Sequence, residues 1–201
     1  MRNWFSHALL LGILGTGALS TLTGTAQQQR MPATGQADLS LTYTTSHSNF
    51  IPGDGFWMQG GDVEMAFHFP ARFAAVASVS GGHTGAGSGG VPLNLITSVY
   101  GLRYTWTLPT KTRDVEIFGQ GLTGISQGFG STFPAAGGST TSATGLAIQA
   151  GGGVDIGLSP HWAVRAGEVQ WLRSEIPNAT TNVQNSLKIG AGILFRFQVI
   201  K

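Results

Sequence analysis

The 201-residue chain has charged side chains at only 10% of its positions and no cysteine, where ordinary soluble domains carry about 25% charge. The missing cysteines exclude disulfides, cysteine-based zinc sites and a lipid-modified N-terminal cysteine. Eleven Lys and Arg nearly balance nine Asp and Glu, and no basic aromatic stripe offers a footprint for nucleic acid.

Met1 to Ala26 has the form of a secretory signal. Arg2 supplies the positive start, Ala8 to Leu22 the apolar stretch, and Gly24-Thr25-Ala26 the small-residue cleavage site. Residues 27–36 are then expected to be a short periplasmic N-terminal segment, and 37–201 a single domain. Past the signal, no apolar run is long enough for a membrane-crossing helix. Strands reconcile low charge with this absence, because their lipid-facing residues are diluted by every second position.

Period-two alternation predicts eight strands. The first, Ala37 to Thr45, sets Leu39, Leu41 and Tyr43 against Asp38, Ser40, Thr42 and Thr44. The second, Trp57 to Phe69, turns Trp57, Val63, Met65, Phe67 and Phe69 outward and Asp62, Glu64 and His68 inward. The third, Arg72 to Ser80, sets Phe73, Ala75, Ala77 and Val79 against Arg72, Ser78 and Ser80. The fourth, Leu95 to Leu108, sets Ile96, Tyr100, Leu102, Tyr104, Trp106 and Leu108 against Thr97, Arg103, Thr105 and Thr107.

The fifth, about Val115 to Ser126, is ambiguous, since Phe118 and Leu122 share parity with Glu116 and Gln120. The sixth, Leu146 to Leu158, alternates without a break, with Gln149 and Asp155 on its polar face. The seventh, His161 to Leu172, changes phase, and one extra residue at Gly167 brings Arg165, Glu168 and Gln170 to the same side, which predicts a β-bulge. The eighth, Leu187 to Phe197, puts Leu187, Ile189, Ala191, Ile193, Phe195 and Phe197 outward, with Lys188, Gly190, Gly192 and Arg196 inward.

Connections sort by end. Pro70-Ala71, Thr110 to Arg113 and Ser159-Pro160 are short; Ser46–Phe56, Gly81–Asn94, Gln127–Ser142 and Arg173–Asn185 are longer and rich in Gly, Ser, Thr and Pro. Short periplasmic turns and long outer loops describe an eight-stranded, antiparallel, up-and-down transmembrane β-barrel, an all-β fold. Aromatics gather near strand ends: Phe69, Phe73, Tyr104, Trp106 and Trp162 on the short-turn side, Trp57 and Trp171 on the other. Such rings form girdles at the two interfaces.

Gly151-Gly152-Gly153-Val154-Asp155, followed by Leu158-Ser159-Pro160-His161-Trp162-Ala163-Val164-Arg165, resembles the penultimate hairpin of OmpA-like and OmpX-like eight-stranded outer-membrane proteins. Leu187 to Phe197 is similar to their closing strand. The resemblance implies that Gly192, Phe195 and Phe197 form the glycine-x-x-aromatic-x-aromatic signal read by the barrel-assembly machinery. Gly190 stands where that signal often has a polar residue, and Gln198–Lys201 extend past the terminal aromatic. No peptidoglycan-binding domain is expected after Phe197.

Gly119-Gln120-Gly121-Leu122-Thr123-Gly124 matches a dinucleotide-binding pattern, yet no helix signal follows it. Gly124-Ile125-Ser126-Gln127-Gly128 matches a nucleophile elbow, with Asp155 and His161 following in hydrolase order. A barrel sets Ser126 and His161 at opposite rims, about 20 Å or more apart at ~3.3 Å per residue. His47 and His83 are the remaining candidates for lipid chemistry near the outer rim; the histidines have no metal-ligand spacing, so no metal or cofactor is expected.

Inside the barrel the alternation places Asp38, Asp62, Glu64, Arg103, Glu116, Asp155, Arg165, Glu168, Lys188 and Arg196. Eight strands enclose an interior that side chains fill. Opposite signs should therefore interleave, with Glu168 and Asp155 neutralising Arg165 and Arg196. The expectation is a monomeric outer-membrane protein of a Gram-negative-type cell, exported through the periplasm. Its role would be structural or interactive rather than enzymatic, displaying four polar outer loops. The expected partners are outer-membrane lipid and lipopolysaccharide, the barrel-assembly machinery and extracellular surfaces. A narrow porin-like channel and an outer-membrane lipid hydrolase are the competing readings.

Overall fold

The computed structural model describes residues 35–198, apart from 52–53, 86–91, 109, 111–112 and 179–180. The expected signal, and most of the segment that follows it, lie outside the described residues. Eight strands follow one another: β1 (Gln36–Ile51), β2 (Asp54–His68), β3 (Phe73–Thr84), β4 (Leu93–Leu108), β5 (Val115–Ala135), β6 (Gly138–Gly157), β7 (Trp162–Ser174) and β8 (Gln184–Gln198). Each pairs antiparallel with the next, and β8 pairs with β1 from Gln36↔Gln198 to Ser48↔Ser186. The sheet is closed, so no edge is left along the wall.

Burial is inverted relative to a soluble protein. Tyr43 and Tyr100 are 61% and 66% exposed, while Glu64 and Arg165 are 2% and 1% exposed. Exposed leucines, isoleucines, valines and tryptophans cover the outside of every strand, a patch far larger than water tolerates on a monomer. Hydrocarbon is the solvent that such a surface fits, and a closed barrel satisfies every backbone group within it.

Pro70–Arg72 forms a single 3₁₀ turn between β2 and β3, closed by the Phe69 amide donating to the Phe73 carbonyl at 2.8 Å. Arg72, expected to open the third strand facing inward, instead lies in this turn, with Ala71 and Arg72 at φ of 65° and 70°.

The phase of β5 is settled by its neighbours. Glu116, Phe118, Gln120 and Leu122 all face inward, while Ile117 and Ile125 face out. In β7 the register slips where the sequence changes parity: Val154 pairs with Gly167, but Asp155 pairs with Arg165. Against β8, Arg165↔Gly192 is followed by Glu168↔Gly190, so Ala166 and Gly167 share one position opposite Ala191. This bulge turns both Arg165 and Glu168 into the lumen.

Two of the four expected outer loops are not loops. β1 and β2 run through most of Ser46–Phe56, and β5 and β6 run through Gln127–Ser142 to a tight turn at Ala136–Gly137. Gln127–Ser142 contains Thr132, Thr140 and Thr141, and Ser46–Phe56 contains Phe50, Ile51 and Phe56, residue types that favour pleated backbone once a hairpin partner is present. Only the connections 85–92 and 175–183 separate outer strand ends by more than a few residues.

Candidate functional site

The lumen is organised in layers around one arginine. The Arg165 guanidinium donates from Nε and Nη2 to the two carboxylate oxygens of Asp155 at 2.9 and 3.2 Å. Its Nη1 reaches Glu64 at 2.9 Å and Glu168 at 3.0 Å. Register explains the convergence: Asp155 and Arg165 are cross-strand partners on β6 and β7, and the bulge brings Glu168 beside them.

Glu64, on β2, is shared by two cations. Arg103 of β4 donates to its Oε1, and Gln120 of β5 donates to its Oε2 at 2.9 Å. Ser40 adds a hydroxyl at 3.4 Å. The Phe118 ring packs against both guanidiniums, with Arg103 4.0 Å and Arg165 4.5 Å from its centroid. The aromatic face attracts both cations. Gly153 on β6 leaves the room: a side-chain carbon there would approach two Phe118 ring carbons to 2.9 Å.

Toward the short turns lies a second cluster. Arg196 Nη2 donates to Glu116 at 2.6 Å, with its Nε 4.0 Å from Asp38. His68 Nε2 is 2.8 Å from the other Asp38 oxygen, and Gln36 donates to Asp38 at 2.9 Å. The expected pairing of Arg196 with Glu168 or Asp155 is therefore replaced by Glu116 and Asp38. Asp155 and Glu168 are both held by Arg165, while Asp38 is Arg196's direct cross-strand neighbour.

Toward the outer end, Lys188 Nζ sits 3.5 Å from Asp62 and donates to Ser80 at 3.1 Å; Ser78 donates to Asp62 at 2.8 Å. A small cavity beyond Lys188 is lined by Thr44, Ser80, Thr97, Leu172 and Ser186 among others. The outer mouth is then closed by apolar side chains: Phe56, Met58, Leu93, Phe133 and Ile176 form one buried cluster. Gln184 clamps Ile176 into the mouth, accepting from its amide at 3.0 Å and donating to its carbonyl at 2.6 Å.

Sequence reasoning missed Phe118, Gln120, Phe133 and Ile176 as parts of this filling. Alternation marks a residue as inward, but an inward apolar residue looks like a phase error until its neighbours are known.

Outside, the short-turn end holds linked rings. Phe73 lies 5.0 Å from Tyr104, and Tyr104 4.6 Å from Trp106, edge to face. Phe67 and Phe69 pair at 5.5 Å, Trp162 and Phe195 at 4.9 Å, and Phe195 stacks on Phe197 at 6.1 Å. Trp57 and Trp171 stand exposed toward the other end. Gly192 lies on β8 where any side-chain carbon would collide with the Leu41 carbonyl at 2.1 Å.

The two enzyme-like patterns are dispersed. Gly119–Gly124 lies wholly within β5. Ser126 is buried against Thr97 at 2.7 Å, Asp155 is occupied by Arg165, and His161 packs over Phe195. His47 rests edge-on against Trp57, and His83 is hydrogen-bonded to Asn94 at 2.8 Å. Among the described residues, no three His, Cys, Asp or Glu side chains stand together as a metal site.

From Ile117 to Val154 the chain has no charged residue. β5 last pairs with β4 at Asn94↔Phe129, and β6 first pairs with β7 at Ala147↔Ser174, so the β5–β6 hairpin continues past both neighbours as a two-stranded ribbon. A register shift between Phe129 and Phe133, with Gly130 at φ 76°, bends the ribbon and folds Phe133 into the mouth. Its tip, from Pro134 to Ser139, is exposed.

No family model matches the chain. No curated protein is similar to it in sequence. Solved structures do match. The attachment invasion locus protein Ail of Yersinia pestis is 14% identical, with a TM-score of 0.50, and the match covers 82% of this chain and 100% of that one. Neisserial surface protein A is 12% identical, with a TM-score of 0.58, over 81% and 96% of the two chains. At such identities the likeness is one of architecture: the chain has the closed eight-stranded barrel fold of the small outer-membrane proteins.

Proposed function

We propose that the protein is a monomeric outer-membrane barrel whose lumen is sealed and whose work is done at the cell surface by the β5–β6 ribbon. The observation behind this reading is the division of labour between interior and ribbon. Ten charged residues fill the lumen, while the ribbon that rises beyond the wall has none. A sealed interior offers no continuous water path, whereas a ribbon that outruns both neighbouring strands offers backbone donors and acceptors to another surface.

On this reading the secretory signal sends the chain through the periplasm, and the closing strand with Gly192, Phe195 and Phe197 is what the assembly machinery reads. Lipopolysaccharide and outer-membrane lipid surround the wall. The role is interactive, not catalytic: the histidines nearest the outer rim are engaged by Trp57 and Asn94.

The test charges the ribbon without touching the barrel. Thr132, Ser139 and Thr141 are exposed; replacing all three by Glu leaves Phe133 in place. Cells displaying the variant should keep a heat-modifiable barrel and lose adhesion to protein-coated surfaces. Adhesion equal to the parent would overturn the ribbon as the binding element.

A further inference from the structure

We infer that the wall formed by β1–β4 holds one outer-leaflet glycolipid in a furrow near the outer rim. This deepens the surface reading above, resting on its orientation of the barrel but not on the ribbon. Four register-matched positions face outward in a row: Thr45, Gln59, His83 and Asn94. The next row toward the membrane is Tyr43, Gly61, Gly81 and Ile96, and the one after is Leu41, Val63, Val79 and Ser98.

The two glycines make a notch. A carbon built on Gly81 would meet nothing within 4 Å, and one on Gly61 only the Thr42 carbonyl oxygen at 3.5 Å. Tyr43 and Ile96 flank the notch with 61% and 42% exposed side chains, and Val63 and Val79, exposed themselves, continue its floor. Adjacent strands lie ~4.8 Å apart, so two bare positions between two large side chains span the width of an alkyl chain.

The head of the furrow is polar and ordered. Tyr43 Oη donates to Gln59 Oε1 at 2.9 Å, and His83 Nδ1 is 2.8 Å from Asn94 Oδ1. Gln59 and His83 are both exposed. No Lys or Arg stands in these three rows, and recognition of phosphate calls for such cations. Neutral amide, imidazole and phenol groups suit hydroxyl and ester oxygens. The occupant is therefore a sugar-headed lipid, with one acyl chain on Gly61, Gly81, Val63 and Val79. Continuity with the lipid-facing wall on every side is what makes lipid, and not protein, the partner.

The experiment titrates the purified full-length protein in detergent with a neutral glycosyl diacylglycerol, whose sugar head carries no phosphate, and, separately, with phosphatidylglycerol of matched acyl chains. Retained lipid is read by native mass spectrometry. The parent should hold one glycolipid, with about tenfold preference over phosphatidylglycerol, a difference set by a few polar contacts. Gly81→Trp fills the notch and should lower retention of both lipids. The pair Gln59→Ala and His83→Ala should lower the glycolipid to the phosphatidylglycerol level. Gly121→Trp, at another open outward position, should change neither, and heat-modifiable migration reports that each variant is folded. Equal retention of the two lipids by the parent, or unchanged retention by folded Gly81→Trp, would overturn the site. Orientation is read separately, from protease access to the ribbon on intact cells.

Discussion

Glu64 on β2 and Arg165 on β7 meet at 2.9 Å although β1 and β8 stand between their strands. The contact crosses the lumen and does not follow the wall, so it ties opposite sides of the barrel together. Both groups are nearly inaccessible to water. Such a pair is tolerated only while every charge keeps its partner.

Removing that carboxylate should therefore hurt more than an ordinary core change. Glu64→Ala leaves Arg103 without its only carboxylate contact among those described and takes one of three from Arg165. A loss of about 3–5 kcal/mol is expected, the range for breaking buried ion pairs. Glu64→Gln, which keeps the shape and an acceptor oxygen, should lose less. Urea titration in micelles, followed by the heat-modifiable band, measures both.

Phe118 and Gly153 should behave as a coupled pair. Gly153→Ala drives a methyl against the Phe118 ring and toward the Gly167 carbonyl oxygen, 2.6 Å away, at a cost of about 1–3 kcal/mol. Phe118→Ala removes the ring packed against two guanidiniums and should cost about 3–5 kcal/mol. Combined, the two should cost less than their sum, since the ring clash is gone. Strict additivity in a double-mutant cycle would contradict the packing described.

The bulge makes a sharper demand. Deleting Gly167 removes the extra residue and leaves Arg165, Ala166 and Glu168 in plain alternation, with both charges still inward. Deleting Ala166 as well puts Arg165 and Glu168 on opposite faces, so either Glu168 and Gln170 turn to lipid or Trp162 and Val164 turn into the charge network. The single deletion should give the fast-migrating folded band and the double deletion should not. A folded, parent-like double deletion would refute the phase assignment of β7.

The plug also forecasts electrical silence. The parent in planar bilayers should show no steady single-channel steps, because the ionic layers and the apolar cap lie in series. Phe118→Ala with Arg165→Ser, which empties the centre of the plug, should produce brief openings at most while the Phe133–Ile176 cap remains. Steady steps from the parent would favour a channel over a sealed barrel.

Much of the wall was legible because lipid enforces strict alternation. Val154, Ile156 and Val164 sit where parity puts them, and the parity break in β7 marks the bulge. The fifth strand was not legible, since Phe118 and Leu122 point inward with Glu116 and Gln120. Lipid-facing and lumen-facing apolar residues look alike in a single strand. The ribbon was hidden for another reason: glycine, serine and threonine are common to loops and to strands that lack a membrane to face. The lumen charges fell on the inward parity, but their partners could not be read. Cross-lumen pairs such as Glu64–Arg165 depend on barrel tilt, which no local pattern encodes.

The two-residue turn at Ala136–Gly137 has a practical side. It is exposed and lies beyond the last rungs shared with β4 and β7, and inserted sequence is accommodated best where little neighbouring structure must yield. A foreign epitope spliced there would be hoisted clear of the cell on a stalk without charge, making this small barrel a natural scaffold for surface display.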